Sequence, residues 1–154
     1  MKEEKKVVNH FLVDVFNEIL KTEEYCIASS DFNLSLKEIH VIEATCKMED
    51  EGADTRSTAI AAALRITPGT LTTAVNLLEK KGYLLRKRDD RDKRIVRIYT
   101  TELGRKAQDQ HEVFHQEMVE HILGSLTEEE AEVFTRSLKK LAAFFRDKYY
   151  ATQK

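Results

Sequence analysis

Apolar residues recur along this chain at two different periods, and the change of period divides it into elements. Val8, Leu12, Val15 and Ile19, flanked by Phe11 and Phe16, are spaced by three and four, which predicts one long helix from about Lys5 to Cys26. After the polar break Ser29-Ser30-Asp31, Ser35 precedes Glu38 by three residues, a capping-box pattern that opens a second helix through about Lys47. Acidic loop residues 49–54 lead to a short Ala-rich helix ending at Leu64, and only Arg65 and Ile66 separate it from the next start signal. There Thr67 is the expected N-cap and Pro68 the first helical residue of a helix that stops before Gly82. The period then falls to two. Tyr83 to Arg88 reads as a strand, Asp89 to Asp92 as a turn, and Lys93 to Tyr99 as the returning strand. Thr101 and Glu102 open a long helix to about Ile122, Gly124 breaks it, and Thr127 with Glu130 caps a last helix striped by Phe134, Leu138, Leu141 and Phe145.

The fold class expected from this order is mainly α: a winged helix-turn-helix with long N- and C-terminal dimerisation helices. Residues 1–154 are expected to form a single domain, with the winged helix-turn-helix at 35–100. The segments 1–30 and 101–154 would be dimerisation helices, because their apolar stripes exceed what three helices and a ribbon can cover. A length of 154 residues with five Gly and one Pro agrees with one mostly helical domain. The mixed-charge start is unlike a signal peptide, and no apolar run reaches the roughly 18 residues a bilayer crossing needs. Cys26 and Cys46 are too few for a disulfide framework. The expectation is a cytoplasmic protein with no membrane partner and no resident cofactor.

Charge refines this picture. The chain carries a net −2, yet residues 56–97 hold eleven Lys and Arg against four acids, a net +7, and the remainder, 14 basic and 23 acidic, carries −9. A cationic helix-turn-helix and ribbon on an acidic body is the electrostatic footprint of a duplex-DNA binder. On the helix that follows Thr67, one side (Leu71, Ala74, Val75, Leu78) should pack inward while Gly69, Thr70, Thr73, Asn76 and Lys80 face outward. Small polar groups at a helix N-terminus suit end-on entry into the major groove, where Asn76 can pair with adenine. Thr67 heads the free N–H groups that can hold a phosphate. Arg86 is expected to meet phosphate, and ribbon-tip residues Arg91, Lys93 and Arg94 to reach the adjacent minor groove, with Asp92 orienting an arginine.

Asp92-Lys93-Arg94 followed by Thr101-Glu102-Leu103-Gly104 resembles the wing signature of the MarR family, an Asp-x-Arg leading to Leu-Thr-x-x-Gly, and Leu77 to Leu84 resembles its end of the recognition helix. The resemblance covers essentially the whole chain. It implies a homodimeric, ligand-responsive repressor or activator on a pseudo-palindromic operator, with Arg94 in the minor groove supported by Asp92. Two positions depart from the pattern: Thr100 stands where the family has Leu, and Arg65 where it has a small residue. Within the family the chain is similar to the FabT-type repressors of fatty-acid synthesis genes at 36–40, 69–73 and 111–118, which would imply acyl-carrier protein as co-repressor.

One motif points elsewhere. His111-Glu112-Val113-Phe114-His115 matches H-E-x-x-H, and His121 falls where an extended zinc-protease motif places its third ligand. That version needs Gly at the position of Met118 to let the chain leave the helix, so no enzyme is expected. His111 and His115, one turn apart, can instead chelate a single ion, and His40 can join them if the second and fifth helices pack together, with Cys26 or Glu38 completing a zinc-sensing set. The alternative is that these histidines make interhelical hydrogen bonds or line an effector pocket.

Overall fold

A computed structural model describes residues 2–150. It contains helices α1 (Glu3–His10), α2 (Phe16–Ala28), α3 (Leu36–Asp50), α4 (Ser57–Leu64), α5 (Pro68–Lys80), α6 (Glu102–Gly124) and α7 (Glu128–Phe145), with strands β1 (Leu84–Arg88) and β2 (Val96–Thr100). The mainly helical winged architecture therefore stands. The chain divides into two compact units, the first ending at Phe114 and the second beginning at His115.

The predicted boundaries hold where local chemistry sets them. Ser35 accepts from the Glu38 N–H while the Glu38 carboxylate accepts from the Ser35 N–H, and Thr127 and Glu130 repeat the arrangement. Thr67 accepts from the Thr70 N–H with Pro68 in the first turn. At the other end of α5 the Gly82 N–H donates to Glu79 O and the Tyr83 N–H to Leu78 O, a Schellman closure with Gly82 at φ +85°. The end of α4 closes in the same pattern, from Arg65 to Ala62 O and from Ile66 to Ala61 O, so Arg65 must take a left-handed φ of 56°. This is the physical content of the family's small residue at that position: the turn requires a conformation that L side chains pay to adopt.

Three expectations are corrected. The N-terminal helix is not uniform, because a π-helical stretch, Phe11–Val15, separates α1 from α2. The wing tip is longer than a four-residue turn. Asp89 Oδ1 accepts from the Arg91 and Asp92 N–H groups, and the Asp89 N–H reaches Ile95 O, so Lys93 and Arg94 lie in the tip and β2 begins at Val96. The ribbon also gains a third contributor, since Arg56 pairs with Arg97 in an isolated bridge ahead of α4.

In the first unit, β1 and β2 pair antiparallel from Leu84 against Thr100 to Arg88 against Val96. The core beneath them joins Ile39, Ile42 and Cys46 of α3, Ile60 of α4, Leu71, Val75 and Leu78 of α5, Leu84 and Ile98 of the ribbon, and Ala107 of α6. Gly104 explains the last glycine of the wing signature. A Cβ there would lie 2.3 Å from Tyr83 O and 2.6 Å from Thr100 Cγ2, so only glycine lets α6 start against the ribbon base. Thr101 fastens the same joint: its N–H donates to Tyr83 O, its hydroxyl to Gly82 O, and its oxygen accepts from the Gly104 N–H. Thr100, the departure from the pattern, accepts a hydrogen bond from the buried Cys46 thiol at 3.4 Å. Burial pushes that thiol's pKa up, which keeps it protonated and unreactive.

In the second unit, α6 runs unbroken through Met118 to Gly124, and His121 Nδ1 turns to Glu117 O of its own helix. Phe134, Leu141 and Ala143 of α7 are half-buried, while Val133, Leu138, Phe144 and Phe145 are exposed. No helix among the described residues is long and apolar enough to cross a membrane.

Candidate nucleic-acid interface

Leu71, Val75 and Leu78 are fully buried, which turns the opposite face of α5 outward. Gly69, Thr70, Thr73, Asn76 and Lys80 are all exposed there, as is Thr67 ahead of them. Space around Gly69 is open, so nothing within the chain obstructs close approach of another backbone. The threonines are held by local bonds. The Thr67 and Thr70 hydroxyls lie 2.8 Å apart, and the Thr73 hydroxyl donates to Gly69 O at 3.1 Å. Thr73 therefore presents a methyl group and a lone pair outward, since its proton is already engaged.

At the wing, Asp92 grips Arg94 three times, through the Arg94 N–H and through Nε and Nη2, at 2.9 to 3.1 Å. The Arg94 guanidinium, and then its N–H, hold the Asp92 carboxyl below the ordinary carboxylate range, so the pair stays ionised in mild acid. Arg94 is nonetheless 91% exposed. A cation kept in one orientation yet left in solvent is suited to meeting a charge outside the chain. Arg91 is exposed beside it, and Lys93 makes only a loose 3.7 Å pair with Asp90.

Ion pairs thin the apparent +7 of the segment. Lys81 is spent on Glu38 and Asn33 O, Arg56 on Asp54, and Arg97 on Asp54 and Asp89. Arg86 turns to Glu79 and Asn76 instead of standing free. Lys80, Lys87, Arg88 and Arg91 show no carboxylate partner among the described residues. Arg88, the last residue of β1, is exposed at the ribbon's open end and was not among the expected site residues. Its place in a run of three basic strand residues was the available signal.

Two of the expected histidines, His40 and His111, are brought close together. His40 Nε2 lies 3.2 Å and His111 Nε2 3.0 Å from the same oxygen of Glu23, with the two rings 6.0 Å apart, so α2, α3 and α6 converge on one buried carboxylate. Glu43 Oε2 stands 3.7 Å from His111 Nε2. His115 follows one turn later on α6, at the start of the second unit. Neither residue expected to complete the set does so: Cys26 is exposed, and Glu38 is engaged by Ser35 and Lys81. Glu43 was legible as the residue three after His40. Glu23 was not, because only helix packing brings it there.

Known proteins share this fold. FabT of Streptococcus pneumoniae, solved in complex with DNA, is 35% identical over 93% of this chain and 98% of its own, with a TM-score of 0.84. MepR of S. aureus, also solved with DNA, has the same fold at 21% identity, with 89% and 95% coverage and a TM-score of 0.71. YwhA of Bacillus subtilis strain 168, described as an uncharacterized HTH-type transcriptional regulator, is 36% identical over 77 residues, which is 50% of this chain and 55% of that protein. Residues 25–111, more than half the chain, match the family described as Transcriptional regulator SarA/Rot. The chain belongs to the SarA/Rot family of DNA-binding transcriptional regulators, built on the MarR-type winged helix.

Proposed function

We propose that a homodimer of this chain represses transcription by gripping a pseudo-palindromic operator. Thr67, Gly69, Thr70, Thr73 and Asn76 face base edges in the major groove, Lys80 and the ribbon cations take phosphates, and Arg94 enters the minor groove. The observation that carries this reading is the Asp92–Arg94 clasp, a preorganised yet exposed arginine at the tip of a ribbon beside an exposed polar helix. The DNA complexes of FabT and MepR support it by analogy of fold. Uncovered apolar residues on α1, α2 and α7 support the second copy. Two recognition helices would then have to sit about 34 Å apart, one DNA turn.

Arg94→Ala tests the proposal: operator affinity should fall at least about tenfold while fold and dimer persist. Unchanged affinity would remove the wing from the interface. Log affinity should also fall with log salt by about 0.9 per phosphate neutralised. The FabT resemblance extends the proposal to acyl-carrier protein as co-repressor, which predicts tighter operator binding when the acylated carrier is added.

A second reading of the control input rests on a different observation, the convergence of His40, Glu43 and His111, whose ligand atoms all lie within 4.8 Å of one another. Two imidazoles with a carboxylate suit zinc or a similar first-row ion. Zinc titration read by operator affinity, with His111→Ala as control, decides it. No zinc effect on the wild type removes zinc as the effector.

A further inference from the structure

Arg86 and Asn76 meet across the joint between α5 and β1, and the chemistry of that contact limits what Asn76 can offer DNA. Arg86 Nη2 donates to Asn76 Oδ1 at 2.7 Å, and Nη1 donates to Glu79 Oε2 at 2.9 Å. A guanidinium carries only donors, so the amide of Asn76 can satisfy it only with its oxygen, and the orientation of the amide follows without ambiguity. Glu79, one turn after Asn76 on the same helix, holds the other side of the fork. The Arg86 side chain is 28% exposed, so the guanidinium is partly withdrawn from solvent while Asn76 stays exposed.

We propose that Arg86 is a positioning residue that commits Asn76 to donating: only its Nδ2 hydrogens face the major groove. This rests on the DNA-binding reading above and deepens it. An unrestrained asparagine reads adenine with both halves of its amide, accepting from N6 and donating to N7. Here the accepting half is occupied by a cation, and a base amino group brought to the same oxygen would meet that positive charge. The donating half matches an edge made only of acceptors. Guanine offers N7 and O6 side by side, so the pair read by Asn76 is G·C and not the A·T that the residue type alone suggests.

Selection from randomised duplexes identifies the pair concerned as the one that becomes degenerate when Asn76→Ala replaces wild type. Wild type should select G·C there. Arg86→Met, which removes the donor, should shift that pair toward A·T, whereas Arg86→Lys, which keeps a cationic donor, should retain G·C. A merely structural Arg86 would lower affinity for all sequences alike and leave the preference in place. Should Arg86→Met fail to fold, wild type decides alone: replacing the selected guanine by 7-deazaguanine should weaken binding about tenfold. A·T at that pair in wild type, an unaltered preference in folded Arg86→Met, no position dependent on Asn76, or indifference to 7-deazaguanine would each overturn the assignment. A wild type that enriches no duplex at all would overturn the DNA-binding reading with it.

Discussion

The segment from Ser35 to Thr100 and the helices at the two ends of the chain solve the burial problem differently. Twelve of the fourteen core hydrophobics lie within that segment, Ile27 and Ala107 being the others. α1, the π-helical stretch after it and α7 bury no residue, although Val8, Leu12, Phe16, Leu138 and Phe145 lie on them or beside them with 40% or more of their surface open. The middle is therefore a self-sufficient core of three helices and a ribbon. The ends have the composition of core helices without a core to join. Apolar stripes of that size on a folded protein mark an interaction surface, and a second copy of the same chain carries the matching stripe.

This contrast can be broken or sharpened in four ways, taken here in decreasing order of effect. Ile42→Ala, in a fully buried side chain of the middle segment, should cost about 3 to 4 kcal/mol in urea unfolding. A loss below about 1 kcal/mol would mean that the middle segment is not the stability core. Leu12→Glu, at the exposed end, should leave helical content unchanged but weaken self-association on the order of a hundredfold, as read by sedimentation. If the variant sediments as wild type does, that stripe is not the seam between copies.

The third concerns acid. Burial alone pushes the Glu38 carboxyl up, but the Lys81 ammonium and the Ser35 N–H more than cancel it, and the group rests below its ordinary value. Its stabilising contribution is thus present above the unfolded carboxylate pKa, about 4.3, and is lost as pH falls through the depressed folded value. Glu38→Gln should destabilise by about 1 kcal/mol at pH 7, with the gap to wild type closing below about pH 4. A gap that is constant with pH would show that charge is not what Glu38 contributes. Smallest, Arg65→Gly should raise stability by about half a kcal/mol, because relief of the left-handed backbone outweighs the entropy glycine adds to the unfolded chain. Arg65→Val should lower it, and equal midpoints for the two would dismiss backbone strain at this turn.

What the sequence revealed follows from the range of the forces involved. Ser35 with Glu38, Thr67 with Pro68, Thr127 with Glu130 and the closing Gly82 are legible because each cap is satisfied within three or four residues. The inward face of α5 was legible because periodicity alone orients a helix. Partners distant in sequence were not. Lys81 reaches Glu38 across 43 positions, His111 and His40 find Glu23 on a third helix, and Arg86 turns back to α5 from the strand that follows it. A count of charges treats all of these as free, and packing then spends them. The left-handed Arg65 and the length of the wing tip escaped for a related reason: residue type favoured other conformations, and helix closure and the Asp89 carboxylate overrode it.

The seating of Gly104 against the Tyr83 carbonyl, with Thr101 bonded to both Gly82 and Tyr83, makes the start of α6 a weld to the far end of α5. No flexible side chain separates the two at that point. Whatever tilts the first turns of α6 must carry the end of α5 along without lost motion, so the coupling between these two helices runs through a glycine.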